Sequence, residues 1–177
     1  MTRVLGIDPG LRITGYGCVE GESHAPRLVE AGVFRLVRGD ATPSISSRLA
    51  ELDRDFRDLL ARVRPDAVAV EGLFAHVKHP ATSIVMGHAR GVLLLAVQQA
   101  GLPLIELKPA QVKKSLVGSG RAEKGQMQRA IQEVFRLPEL PRPPDVADAL
   151  AIALAGHQRH DAPSVSDRQV ISPARRS

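Results

Sequence analysis

Hydrophobic positions follow two different periods along the chain, which indicates a domain that mixes strands with helices. Short apolar runs bounded by turn residues predict strands, and apolar positions repeated every three or four residues predict helices. The predicted strands cover residues 3–8, 14–20, 27–37, 67–71 and 104–107. The predicted helices cover residues 45–63, 82–99, 109–117, 123–135 and 145–156.

The order of these elements predicts the fold class. Three strands come first, and the later strands alternate with helices, which is typical of an α/β fold with helices packed on a mixed sheet. We therefore expect one domain over residues 1–156 with a five-stranded sheet. Residues 157–177 hold few large apolar side chains and two prolines, so we expect a disordered tail there.

The composition excludes several classes of protein. A single cysteine, Cys18, rules out a disulfide scaffold or a Cys-based zinc site and favours a reducing, cytoplasmic location. We expect Cys18 to be a small buried residue in a strand. The apolar run over residues 4–7 is too short for a signal peptide or a membrane span, so we expect no membrane association. Aromatic residues make up 3% of the chain, which argues against a surface that stacks on successive bases.

The formal net charge of +5 is concentrated in one segment. Residues 108–142 hold eight Lys and Arg against three Glu, a balance of +5, whereas the segments before and after are each neutral. A localised basic segment of this kind is a candidate footprint for phosphate groups. A solvated helical face is the simpler alternative, because basic helices are common.

Four acidic residues stand where active-site side chains occur in α/β folds. Asp8 ends the first predicted strand and Glu71 the fourth, and active sites in open α/β sheets lie at the carboxyl ends of strands. Asp145 and Asp148 share one face at the start of the last helix. Asp8 also fits a turn, Asp145 a helix cap and Asp148 a first-turn acid. Glu71 follows an apolar run that implies burial, so its carboxylate needs a partner.

Together the four acids indicate a metal site. Like charges at short range repel, and divalent cations would relieve that repulsion. Oxygen ligands favour hard ions such as Mg²⁺ or Mn²⁺, and two such ions can activate a water and stabilise a leaving oxygen in phosphodiester hydrolysis. The acids would then hold the metals while the basic segment holds a nucleic-acid backbone.

At this point the chain resembles the RuvC Holliday-junction resolvases of bacteria. The resemblance runs in order from about residue 3 to residue 156, and the ordered set of motifs is far more specific than any one of them. The matching motifs are Gly6-Ile7-Asp8-Pro9-Gly10, Thr14-Gly15-Tyr16-Gly17, Glu71-Gly72-Leu73-Phe74, Gly87-His88-Ala89-Arg90-Gly91, Val112-Lys113, Val117-Gly118, Ala122-Glu123-Lys124 and Asp145-Val146-Ala147-Asp148-Ala149-Leu150-Ala151.

The resemblance implies a ribonuclease H-like fold and a homodimer that makes paired, metal-dependent nicks in a four-way DNA junction during recombination and repair. It also implies cooperation with a branch-migration motor made of RuvA and RuvB proteins. Lys113 and Lys124 match basic residues that bind DNA or support cleavage. The family's catalytic carboxylates correspond to Asp8, Glu71, Asp145 and Asp148.

Two neighbouring lysines and a glycine-rich loop are further candidates for DNA contacts. Lys113 and Lys114 point in different directions on a helix, so Lys113 is the better catalytic candidate and Lys114 the better phosphate or solvent residue. Residues 118–121 lack the Gly-Lys-Ser/Thr ending of a P-loop. Arg121 and this loop therefore fit either a backbone phosphate contact or a plain turn between helices.

The segment after Glu71 carries an aromatic residue and two histidines. Alone, Phe74 favours a core or loop-anchoring role; with the resemblance, it favours a wedge against bases at the crossover. His76 and His79 fit solvated loop residues better than zinc ligands, and they could instead contact phosphate. The stretch from His76 to Pro80 departs from the familiar family pattern.

Two other function classes stay open on the sequence. Asp-Pro-Gly in a hairpin also resembles the phosphate-binding loop of actin-like or hexokinase-like phosphotransferases, although the chain is short for their two lobes. A non-catalytic junction-binding module is the second alternative, and four intact acids argue against it. Gly87 and Gly91 lie on one helix face, where they suit either a dimer interface or core packing.

Overall fold

A computed structural model of the protein describes residues 1–22, 24–72, 80–121 and 123–161. The strands in these ranges are β1 (Thr2–Asp8), β2 (Ile13–Glu22), β3 (Ala25–Arg35), β4 (Ala67–Glu71) and β5 (Leu104–Leu107). They form one sheet in the order β3-β2-β1-β4-β5. The β1–β2 and β2–β3 pairs are antiparallel, while β1–β4 and β4–β5 are parallel. The predicted mixed five-stranded sheet is confirmed.

Helices cover both faces of this sheet. They are α1 (Ile45–Val63), α2 (Pro80–Gln99), α3 (Pro109–Val117), α4 (Lys124–Val134) and α5 (Pro144–Asp161). Side chains of β1 alternate between two cores, because successive strand residues point to opposite faces. One core joins the sheet to α1 and α2, and the other joins it to α3, α4 and α5.

Glycines in the sheet let α5 lie directly on the strands. A Cβ atom at Gly6 of β1 would clash with the backbone of Ala149 and Ala153, and one at Gly15 of β2 would clash with the Asp145 carbonyl. Only glycine permits such close backbone contact. The side chains of α5 that face the sheet are also small, because the helix is rich in alanine. The start of α5 therefore packs directly against the strands.

The sequence prediction of the last helix ended too early. We expected it to end at residue 156, but α5 continues to Asp161. His157 is fully buried, and its Nε2 donates a hydrogen bond to the Thr2 carbonyl at 3.2 Å, so the extra turn is tied to the sheet. The disordered tail therefore cannot begin at residue 157. Residues 162–177 lie outside the described residues, where the tail remains a prediction.

Cys18 is buried, whereas the rest of the described chain leaves the apolar helix α2 largely uncovered. Cys18 is buried in β2 as expected, and burial raises the pKa of its thiol to about 12. Residues Ala81–Gln99 of α2 are long and apolar enough to cross a membrane by length and composition alone, a test that core helices of soluble proteins also pass. The rest of the described chain buries 22% of that stretch, which leaves much of α2 uncovered.

Candidate active site

All four predicted carboxylates line one cavity. The cavity has a volume of about 540 Å³ and lies at the carboxyl edge of β1 and β4, under the start of α5. Ile7 pairs with Val70 in the parallel ladder, so Asp8 and Glu71, the next residue of each strand, emerge side by side. The acids that line it are Asp8, Glu71, Asp145 and Asp148, and Lys113 lines it as well.

A tight turn holds Asp8 at the end of β1. The Thr14 hydroxyl donates to the Gly10 carbonyl at 2.6 Å and accepts from the Gly10 N–H at 3.2 Å. Thr14 is fully buried, so this pair of hydrogen bonds is shielded from water. The turn that sequence reasoning offered as the simple explanation of Asp8 thus also presents its side chain to the cavity.

Glu71 is held in place by the backbone of the sheet. It is half-buried at the end of β4, and the following Gly72 N–H donates to the Leu107 carbonyl at 2.8 Å, which keeps the backbone in line with β5. Burial and the negative charge of Asp148 raise the pKa of the Glu71 carboxyl, while the positive charge of Lys113 acts in the opposite direction. The Glu71 carboxyl therefore interacts electrostatically with both Asp148 and Lys113.

The last helix brings the other two acids. α5 begins at Pro144, which suits a first helical position, and the Val146 N–H donates to the Pro143 carbonyl at 3.0 Å. Asp145 lies in the first turn and Asp148 one turn later, both half-buried on the face toward the cavity. Because α5 packs directly against Gly15 of β2, these carboxylates lie near the end of the neighbouring strand β1.

The two lysines of α3 separate as expected. Lys113 is half-buried and lines the cavity with the acids, whereas Lys114 is exposed and does not line it. Beyond them, Gly118 ends α3 in the left-handed conformation that glycine favours, with φ of 71°. The loop is thus a turn between α3 and α4. Arg121 is exposed and lines a separate cavity of about 520 Å³ with Glu123.

The remaining candidates have less structural information. Lys124 is the first residue of α4. Phe74, His76 and His79 lie outside the described residues, so their predicted DNA contacts remain predictions. A methyl group added at Gly87 or Gly91 would meet no atom of another described element within 4 Å, so among the described residues neither glycine provides a close helix contact.

The donor set of the cavity fits hard divalent cations. Four carboxylates supply only oxygen donors, the type that Mg²⁺ and Mn²⁺ prefer, and the charge of Asp148 already opposes ionisation of Glu71. Among the described residues, no three His, Cys, Asp or Glu side chains are close enough to form a ready-made metal centre. The acids surround the cavity rather than forming a closed coordination sphere.

Sequence reasoning missed several residues that build the site. Met86 of α2 and Met127 of α4 line its apolar wall, and neither was singled out from the sequence. Thr14 braces the Asp8 turn from the next strand. Arg48 is buried in α1 although it is charged, and its spacing of four from Leu52 and eight from Phe56 could have placed it on the buried face.

Comparison with known proteins shows which family the chain resembles in sequence and fold. The family model of the crossover junction endodeoxyribonuclease RuvC matches residues 4–157. A relative of that name from Rhodopirellula baltica is 45% identical over 154 residues, which cover 87% of this chain and 85% of the relative. The solved structure of Thermus thermophilus RuvC with a Holliday junction substrate has a TM-score of 0.80 and 33% identity, covering 90% of this chain and 96% of that one.

A more distant structure shows the same fold. The yeast mitochondrial Holliday junction resolvase has a TM-score of 0.66 at 18% identity and covers 89% of this chain and 78% of that one. The fold and the acid-lined cavity define a nuclease of the ribonuclease H-like class. The chain belongs to the RuvC family of crossover junction endodeoxyribonucleases, which are divalent-metal-dependent enzymes. Membership of this family decides against the phosphotransferase alternative.

Proposed function

We propose that the enzyme resolves four-way DNA junctions by cutting one phosphodiester bond in each of two opposed strands, in homologous recombination and DNA repair. In each cut a water attacks phosphorus and the bond to the 3′ oxygen breaks, which leaves a 3′-hydroxyl and a 5′-phosphate that a ligase can rejoin. The observation that carries the proposal is the meeting of four carboxylates and one lysine, from separate parts of the chain, around one cavity.

Each group in the cavity has a definite role. Asp8, Glu71, Asp145 and Asp148 would hold two ions of Mg²⁺ or Mn²⁺, which when bound supply Lewis acidity for phosphodiester hydrolysis. Lys113 lies at the same cavity and stabilises the negative charge that grows on the phosphate oxygens. The apolar wall beside these groups limits water access, which strengthens their electrostatic effect.

The basic segment 108–142 supports the choice of DNA as substrate. It consists of α3, the loop after it, α4 and the connection to α5, and both helices pack on α5 beside the acids. Lys114 and Arg121 are exposed there, where they can contact phosphates of the junction arms. Lys124 at the start of α4 belongs to the same segment.

The first test replaces two carboxylates with amides of the same shape. Asp8→Asn and Glu71→Gln should lower the rate of Mg²⁺- or Mn²⁺-dependent junction cleavage about a thousandfold, because several kcal/mol of charge stabilisation are lost. Binding of the junction should persist, since the basic surface is unchanged. Cleavage of a synthetic four-way junction and of a matched linear duplex, with and without each metal, measures both effects.

Asp58→Asn is the control, because Asp58 is an exposed carboxylate on α1 away from the cavity. It should cut the junction at the normal rate. Undiminished nicking by either active-site variant would overturn the assignment of the carboxylates.

We propose that the active form is a homodimer joined through α2. Ile84 and Leu95 are 61% and 55% exposed, and they share one helix face with Gly87 and Gly91. A Cβ added at either glycine would meet none of the other described elements within 4 Å, so an identical helix can approach closely there. A two-fold dimer presents two equivalent sites, which matches the two equivalent strands of a junction.

Two further parts of the proposal rest on the family alone. The enzyme would act with a branch-migration motor of RuvA and RuvB proteins, because a resolvase needs a junction that has been moved to a cleavable position. It would work in the cytoplasm, where bacterial DNA lies and where a free buried thiol such as Cys18 is compatible with the redox state.

A further inference from the structure

A second groove adjoins the catalytic cavity and is not used by the chemistry described above. It has a volume of about 640 Å³ and lies between the Asp8 turn, the start of α1 and the start of α2. Both spaces are bordered by Gly10, Ile13, Met86 and Asp145, so the groove continues directly from the site of cleavage. A strand bound in the cavity would run into this groove.

Arg48 forms part of the groove and is a buried cation without an acid. It is only 8% exposed, and its Nη1 donates to the Leu11 carbonyl at 2.8 Å. Its Nε is buried without a hydrogen-bond partner, and within the described residues no carboxylate pairs with it. A buried charge that lacks a counterion is costly, which makes this guanidinium an attractive site for an anion.

The rim of the groove offers further donors. Arg12 is exposed and, in the described part of the chain, forms no ion pair. Thr42 and Thr82, which carry hydroxyl groups, also line the space. Asp145 is the one acid among the described lining residues, and it also faces the catalytic cavity, where a cation would balance it. Two arginines against that shared acid leave the groove positively charged.

We infer that this groove binds a phosphodiester group of the same DNA strand that is cut in the cavity, close to the bond that is cut. Arg48 supplies a buried positive charge and Arg12 supplies an exposed one at the rim of the groove. Two guanidinium groups placed in this way suit the oxygens of a phosphate. Because Arg48 also bonds to Leu11, a phosphate held here would be fixed relative to the Asp8 turn. This inference rests on the proposed junction-cutting function and adds a site that steers the strand into the cavity.

The test measures junction binding without divalent metal across a series of salt concentrations. Arg12→Gln should weaken binding about tenfold and reduce the slope of log affinity against log salt by about one, the effect of losing one phosphate contact. Arg54→Gln is the matched control, because Arg54 is an exposed arginine of α1 that borders neither space. It should leave both quantities unchanged.

Arg48 is tested by charge rather than by deletion alone, since a buried change can prevent folding. Arg48→Lys should keep most of the salt dependence, while Arg48→Gln, if folded by circular dichroism, should lose as much as Arg12→Gln.

Identical slopes for Arg12→Gln, Arg54→Gln and the unaltered enzyme would overturn the inference. The inference would also be overturned by a second pair of results. These are that inorganic phosphate stabilises the unaltered enzyme but not Arg12→Gln, and that both proteins bind the junction equally well. A failure of the unaltered enzyme to cut junctions would instead refute the proposed function.

Discussion

At the scale of single residues, position on a helix separates side chains of identical chemistry. Lys113 and Lys114 are neighbours, yet α3 turns Lys113 into the cavity with the four acids and leaves Lys114 exposed. The charge of Lys113 opposes the rise in the pKa of Glu71, so these two groups interact in the folded protein. Lys114 is not among the charges that shift the pKa of Glu71.

Removal of each lysine should therefore have a different result. Lys113→Ala should lower the rate of cleavage at saturating junction about a hundredfold, because a positioned positive group stabilises the charge of the transition state. Lys114→Ala should leave that rate unchanged and at most weaken binding. Single-turnover cleavage and binding titrations distinguish the two results. Equal loss of rate in both variants would show that the cavity does not distinguish these lysines.

The four acids could be predicted from the sequence because each stands at an element boundary that the hydrophobic pattern reveals. Asp8 and Glu71 follow apolar runs, and the two aspartates of α5 share a helix face. The role of Arg48 could not be predicted in this way. Its contact with Leu11 joins residues that are distant in the chain, and only the packing of α1 on the Asp8 turn creates it.

At the scale of elements, the placement of α5 decides whether the site exists. The helix carries two of the four acids, and it reaches the sheet only because Gly6 and Gly15 leave room for its backbone. The strands and helices themselves were predicted well, since short apolar runs mark strands such as β4 and a repeated apolar stripe marks helices such as α1. The true end of α5 was missed because its last turn is held by His157 and the Thr2 carbonyl, a long-range contact without local pattern.

A methyl group at Gly15 should damage stability and cleavage together. In Gly15→Ala the new Cβ would overlap the Asp145 carbonyl, so the start of α5 must move, at a cost of about 1–3 kcal/mol in the free energy of unfolding. Denaturant unfolding and junction cleavage measure the two effects. Gly125→Ala is the control, because a methyl group there meets nothing within 4 Å. If Gly15→Ala were as stable and active as the control, α5 would not pack as closely against Gly15 as the structure indicates.

At the scale of the whole molecule, the exposed side of α2 and the acid-lined cavity define what the protein presents to its partners. Much of α2 is apolar and uncovered, which a stable surface avoids unless it is an interface. The basic segment instead lies beside α5 and the cavity. The proposed dimer contact at Ile84 and Leu95 and the proposed DNA surface of the basic segment therefore lie on different helices.

A charge on the open side of α2 should separate the dimer. Leu95→Glu should give a monomer at micromolar concentration by sedimentation, and the two nicks in a junction should become uncoordinated, because each subunit then acts alone. Val134→Glu is the matched control, since Val134 is 43% exposed on α4 and outside this face. It should remain a dimer. A monomeric unaltered enzyme that still makes paired nicks would contradict the proposed assembly.

The order of elements along the chain has a consequence for how the protein is made. A chain leaves the ribosome from its N-terminus, and β1, β2 and β3 are complete long before α5 is synthesised. Until then the sheet face around Gly6 and Gly15 has no helix to cover it, and Asp145 and Asp148 do not yet exist beside Asp8. On the proposed assignment of the four carboxylates, a chain that lacks α5 holds only Asp8 and Glu71, so the capacity to cut DNA should arise only after nearly the whole domain has been translated.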